Sequence, residues 1–172
     1  MYKIGDFIIY GQSGVCEIQS IDYPQVQITE GEKKLYYKLS PVYSTEVIYT
    51  PVDSRVFMRP VVTPEEAKEM IAQIAGKANA PGGEPKFTPD EYDAYLKTHD
   101  CRDLIKLMKT IHYKKHGCVQ NGKKITPTDQ KYLKRAEELL FSELAVVMGT
   151  DIEAAKEIVD DALSTWLVEI TA

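Results

Sequence analysis

Apolar residues in the first third of the chain fall in short runs rather than at helical spacing. Phe7-Ile8-Ile9-Tyr10 is closed by the turn Gly11-Gln12-Ser13-Gly14. Val15, Ile18 and Ile21 follow with polar residues between them, then Leu35–Leu39, Val47–Thr50 and Val56–Met58. These β-branched and aromatic clusters of about five residues, separated by Gly, Pro, Asp and Ser, predict short antiparallel strands. Their spacing suits a small, strongly bent barrel. The segment 24–34 reads as a hairpin loop.

The pattern changes at Thr63. Thr63-Pro64-Glu65-Glu66 is a capping box with proline at the first helical position, and it opens a helix ending near Gly76. Residues 76–87, GKANAPGGEPKF, read as a linker. Thr88-Pro89-Asp90-Glu91 starts a second helix. A third spans about Asp100 to His116, with Leu104, Leu107, Met108 and Ile111 on one stripe and Arg102, Lys106, Lys109 and Tyr113 on another face. The turn HGCVQNGKK follows. Thr126-Pro127-Thr128-Asp129 opens a long helix to about Met148, with Leu133, Ala136, Leu140, Leu144 and Val147 inward, and Gly149 breaks it. Thr150–Glu153 caps a last helix striped by Ile152, Ala155, Val159, Ala162 and Trp166. The expected fold is α+β: an N-terminal small Tudor/SH3-like antiparallel β-barrel followed by an all-α helical domain. Expected divisions are a β domain over 1–62, a connecting helix and Gly/Pro-rich linker over 63–87, and a helical domain over 88–172.

Charge alters this picture because it is sorted. The net charge of −5 hides a segment, 97–135, with 11 Lys/Arg against 3 Asp/Glu, followed by 136–172 with 1 against 9. Lys114, Lys115, Lys123 and Lys124 flank one turn. Lys131, Lys134 and Arg135 occupy first helical turns, where the macrodipole disfavours cations. Such a cluster suits phosphate groups, since each neutralised phosphate releases a counterion. The acidic last helix offers a competing role for these cations, internal pairing.

Other chemistry is sparse. The sequence holds no G-x-S-x-G, P-loop, G-x-G-x-x-G or H-E-x-x-H, so no enzyme and no cofactor is expected. His112, His116 and Cys118 lie close together but lack the paired spacing of a structural zinc site. Three cysteines at wide spacing argue against a disulfide framework and for a reducing compartment. No apolar run approaches the roughly 18–20 residues that cross a bilayer, and no signal peptide is read. The expected location is cytoplasmic, with no membrane partner. Oligomeric state is left open.

With these residues in place, the chain resembles the CarD-type bacterial transcription regulators. Those share their first domain with the RNA-polymerase-interacting module of transcription-repair coupling factor. Tyr2–Tyr10 with Ser13-Gly14-Val15 is similar to that family's GD-x-V-V-Y strand and glycine turn. Leu35-Tyr36-Tyr37-Lys38-Leu39 resembles Y-Y-x-L, Val47–Val52 its apolar strand ending in Val-Pro, and Val56–Arg59 its V-G-L-R. Ala136, Leu139, Leu140, Glu143 and Leu144 resemble its A-x-x-L-L-x-x-E-L helix. The resemblance implies docking on the RNA polymerase β subunit by strand pairing, through Val47, Ile48, Tyr49, Thr50 and Pro51. It also implies promoter DNA contact by the helical domain, modulating the open complex. The DNA-contacting set is then Phe87, Arg102, Lys106, Lys109, Lys114, Lys115, Lys123 and Lys124. Phe87 stands near where family members often carry a wedging Trp, and Tyr49 where they often carry Arg. The alternatives are a protein–protein adaptor using the same barrel without DNA, and a small enzyme or metalloprotein built on the His/Cys trio.

Overall fold

The computed structural model describes residues 1–23, 34–76 and 88–171. The hairpin loop expected at 24–34 (but for Lys34), nearly all of the 76–87 linker, and Phe87 lie outside the described residues. The chain divides into two compact units, Met1–Val61 and Val62–Ala172.

The first unit is an antiparallel sheet of β1 (Phe7–Tyr10), β2 (Gly14–Asp22), β3 (Tyr36–Pro41), β4 (Ile48–Pro51) and β5 (Met58–Pro60). The strand order is β4-β3-β2-β1-β5. Each expected strand is present, but the last begins at Met58 rather than Val56. Its register is set by β1, which pairs Tyr10 with Met58 and Ile8 with Pro60. Val56 and Phe57 precede that ladder and stay exposed. Gly11, with φ +45°, lies where an added Cβ would come 2.9 Å from Val56 Cγ1, so a side chain there meets both strain and a clash.

One irregularity organises this core. The β2–β3 register shifts between Ile18 and Ser20. Strict alternation would put Ile18 and Ile21 on opposite faces; the bulge returns both to the inner one. They join Ile8, Cys16, Tyr37 and Leu39, with Tyr10, Ile48, Val52 and Met58 around them. Burial raises the Cys16 thiol pKa to about 11, which leaves it an inert core thiol. The Tyr10 hydroxyl donates to Thr50 Oγ1 at 3.1 Å, although β2 and β3 lie between β1 and β4. In a flat sheet three strand spacings are roughly 14 Å, beyond a tyrosine's reach, so the sheet is curled as a small barrel is.

The second unit holds α1 (Pro64–Ile74), α2 (Pro89–Lys97), α3 (Cys101–Gln120), α4 (Pro127–Met148) and α5 (Ile152–Thr171). Thr63, Thr88 and Thr126 each close a reciprocal capping box, with Glu66, Glu91 and Asp129, and each is followed by proline. Asp151 Oδ1 accepts from the Ala154 amide to start α5. Gly149, at φ +65°, ends α4. Two expectations are corrected. The helix over 64–74 is no mere connector: Ala67, Met70 and Ile74 are buried in the helical core. And α3 continues past His116 through Gly117 to Gln120, because Gly122, at φ +68°, provides the left-handed residue that ends it.

α4 is the centre of this unit. Its residues Leu140 through Ala145 are all buried, including Glu143. Glu143 Oε1 accepts from the Val62 amide at 3.0 Å and Oε2 from Cys101 Sγ at 3.0 Å, joining α4 to the start of α1 and of α3. At the other end, Asp129 is 2% exposed. Its carboxylate accepts from Tyr92 Oη at 2.7 Å and pairs with Lys114 Nζ at 2.8 Å, tying α2 and α3 to the N-terminus of α4. Burial pushes the Asp129 carboxyl up, but hydrogen bonds from Lys114, Tyr92 and the Thr126 amide outweigh it and hold it below its ordinary range.

A carboxyl depressed by folding stabilises fully above its unfolded pKa, and that contribution is lost as pH falls through the folded one. Asp129→Asn is therefore expected to lower stability near neutral pH by about 2–4 kcal/mol, from a weakened cap and lost charge-assisted hydrogen bonds. In denaturant titrations of wild type and variant, that gap should narrow in strong acid. A gap that does not change with pH would refute the assignment.

Candidate interaction surfaces

The sheet has two edges, and the sequence prepares them differently. Val52 N donates to Leu35 O at 3.0 Å, so the Leu35–Val52 pair is hydrogen-bonded. Pairs alternate along an antiparallel ladder. With the register Tyr36↔Pro51, Tyr37↔Thr50, Lys38↔Tyr49 and Leu39↔Ile48, the backbone groups of Thr50 and Ile48 therefore face β3. Those of Tyr49 and Pro51 face outward, followed by Val47 just before the strand. Pro51 lacks an N–H where none is needed. β4 has no ladder partner on this outer side among the described residues.

β5 is the opposite case. Gly11 N donates to Phe57 O and Val61 N to Phe7 O, so alternation turns Arg59 toward β1 and Met58 and Pro60 outward. Pro60 has no donor, and its carbonyl already accepts from Arg59 Nη1 at 3.0 Å. This short edge is blunted.

The five expected docking residues thus separate. Val47 and Tyr49 are 50% and 62% exposed. Pro51 is half-buried, with its carbonyl outward. Thr50 is 2% exposed and takes the Tyr10 hydroxyl, while Ile48 packs on the inner cluster. Ile48 and Thr50 therefore build the strand but present neither backbone nor side chain to a partner. Val42 and Tyr43, exposed in the β3–β4 turn, extend the apolar surface toward the hairpin end. Their place in the turn leading to the free strand singles them out.

The cations do not form one surface. Arg102, Lys106 and Lys109 share a face in the N-terminal half of α3. Lys115 is 13 positions beyond Arg102, roughly 20 Å along the axis and on another side of the helix. Lys123 and Lys124 are exposed in the turn after α3. Two expected contacts are withdrawn. Lys109 is 3% exposed, with Nζ 5.0 Å from the centre of the Trp166 ring, because α5 covers a second face of α3. Burial lowers its pKa. Lys114 is spent on Asp129. Lys115 acts on Glu137, whose pKa is raised first by burial, while Lys156 and Lys115 oppose that rise and Asp160 adds to it. The acidic C-terminal stretch therefore does meet part of the basic field from within.

The His/Cys trio does not converge. His116 and Cys118 are two residues apart on α3, about 200° around the helix. His112 Nε2 is buried without a hydrogen-bond partner among the described residues, and burial lowers its pKa despite Asp160 nearby. Among the described residues no group of three or more His, Cys, Asp or Glu could hold a metal ion.

A small curled sheet with one blunted edge and one open edge flanked by exposed Val and Tyr has the geometry that strand addition requires. Residues 2–62 match the family described as the CarD-like/TRCF RID domain. The N-terminal unit is a CarD-like RNA-polymerase-interacting domain, and the chain has a transcription-associated role.

Two buried or half-buried lysines of α3 are expected to respond oppositely to Met. Lys109→Met removes a desolvated charge and should leave stability within about 1 kcal/mol of wild type. Lys114→Met strands the Asp129 carboxylate and should cost about 2–4 kcal/mol. Thermal melts at neutral pH compare them; equal losses would show that the two sites are wrongly distinguished.

Proposed function

We propose that this protein is a non-enzymatic, CarD-like regulator of bacterial transcription acting in the cytoplasm. It docks on the RNA polymerase β subunit by adding β4 to a strand of that subunit. Its helical unit then contacts promoter phosphates and modulates the stability of the open complex. The observation that carries the reading is the open β4 edge at Val47, Tyr49 and Pro51, in a domain of polymerase-interacting type. Main-chain pairing supplies affinity with little demand on sequence, so Tyr49 can stand where relatives often carry Arg. Among the described residues no helix is long and apolar enough to cross a membrane.

On the DNA side the supporting residues are Arg102, Lys106, Lys115, Lys123 and Lys124, divided between two regions of α3 and its following turn. Phe87 keeps its suggested wedging role only as part of this proposal. A second reading, an adaptor with no DNA contact, is favoured by one specific fact: Lys109 and Lys114 serve the interior.

Tyr49→Pro discriminates the docking mode. Its amide faces away from β3, so the sheet should stay folded, whereas Thr50→Pro should break the ladder. Pull-down of the β subunit by full-length Tyr49→Pro is expected to weaken by about two- to tenfold, the effect of losing one backbone hydrogen bond at about 0.5–1.5 kcal/mol. Undiminished capture by a folded variant would remove strand addition from consideration. For DNA, Lys115, Lys123 and Lys124 changed together to Glu should shorten promoter-complex lifetime and flatten its salt dependence by up to about three phosphate contacts. An unchanged lifetime would select the adaptor.

A further inference from the structure

The open strand has a face as well as a margin. Tyr37 and Leu39 of β3 are buried in the inner cluster, opposite Thr50 and Ile48. Alternation therefore places Lys38 and Ser40 on the outer face, together with Val47, Tyr49 and Pro51. Lys38 lies directly across from Tyr49. Because the Leu35–Val52 pair is hydrogen-bonded, Lys38–Tyr49 is a pair of the other kind, with Cα atoms about 4.5 Å apart and side chains close together.

Both side chains are uncommitted. Tyr49 is 62% exposed, and its hydroxyl has no hydrogen-bond partner among the described residues. Lys38 is half-buried, and its ammonium forms no ion pair there. Lys34, four positions earlier, is already paired with Asp53 at 3.4 Å. Glu17, opposite Ser40 in the next row of the outer face, accepts from Gln19 Nε2 at 3.3 Å.

A strand added to β4 pairs with the outward N–H and C=O of Tyr49. The residue it places there stands on the outer face, with Tyr49 between it and Lys38. Two strand spacings, about 10 Å, separate the backbones of Lys38 and that incoming residue. An extended lysine and a glutamate cover this distance together. An ammonium and a phenolic O–H thus flank one position of the partner. A carboxylate accepts from both. An apolar residue there would further desolvate Lys38 without supplying an acceptor, and a basic one would repel it.

We propose that Lys38 and Tyr49 set partner specificity at the open edge. The strand that adds to β4 carries an Asp or Glu opposite Tyr49, with apolar residues two positions to either side meeting Val47 and Pro51. This rests on docking through β4 and names the chemistry recognised there.

The test uses the full-length protein and the RNA polymerase β subunit, with capture measured over a range of salt. Lys38→Gln is expected to weaken binding by about two- to fivefold at low salt and to flatten its salt dependence, because a solvent-facing pair is modest and screened. A merely structural role would not change that dependence. Lys38→Glu should weaken binding by about tenfold or more, since like charges then face each other. Tyr49→Phe keeps the ring and backbone and should weaken binding by about two- to tenfold. One Asp→Lys or Glu→Lys change in the β subunit should restore capture by Lys38→Glu; if none does, the pairing is refuted. Thermal melts verify folding, and if Lys38→Glu melts early, Lys38→Gln carries the test. Capture by either Lys38 variant as tight as wild type, with Tyr49→Pro weakened, would overturn the acidic partner and leave strand addition standing. Undiminished capture by Tyr49→Pro would remove strand addition itself, a separate result.

Discussion

The inequality of its two strand edges decides where the N-terminal sheet offers unpaired backbone to solvent. Backbone N–H and C=O groups left unpaired at a sheet margin invite another strand, and natural sheets suppress that invitation where it serves nothing. Here suppression is confined to β5, which is short, carries Pro60 and has its outward carbonyl capped by Arg59. β4 carries Pro51 too, at an outward position, but it keeps the outward groups of Tyr49 and has Val47 exposed beside them. The curl fixed by Tyr10 and Thr50 gives that margin a rigid base: the inner face of β4 is anchored across the sheet while the outer one is left open.

Charge follows a similar division of labour in the helical unit. A lysine within a basic run can serve the surface or the interior, and composition does not say which. Lys114 is drawn inward because Asp129, Tyr92 and the Thr126 cap converge on one point where three helices meet. Lys109 is drawn inward because α5 lays Trp166 across its side of α3. What remains outside is a smaller field in two places, and part of it acts on Glu137.

Most of the fold was legible in the sequence because local chemistry and tertiary need agree. Thr-Pro-x-Glu/Asp names three helix starts through hydrogen bonds contained within four residues, and all three form. Gly149 ends α4 for the same local reason. Three features escaped because their causes are distant. The end of α3 depends on Gly122 rather than Gly117, since glycine inside a long helix costs only about 1 kcal/mol and neighbouring helices outweigh it. The start of β5 follows the register of β1. The separation of Val47, Tyr49 and Pro51 from Ile48 and Thr50 needs the pairing of Leu35 with Val52, which no reading of strand composition contains.

A recess beside α1 shows the same limit from the other direction. Arg102, Lys106 and Lys109 are spaced to share a face, so a basic stripe on α3 is visible in the sequence. That the stripe closes into a recess is not, because Met70, Gln73 and Ile74 come from a helix that the sequence presents as a connector. Packing α1 into the core turns part of a surface stripe into a walled recess, and packing against Trp166 withdraws Lys109 from the open helix face. A cation on an open helix face exchanges partners with water at little cost. A cation packed among apolar side chains does so less freely, and burial lowers the pKa of Lys109 for that reason.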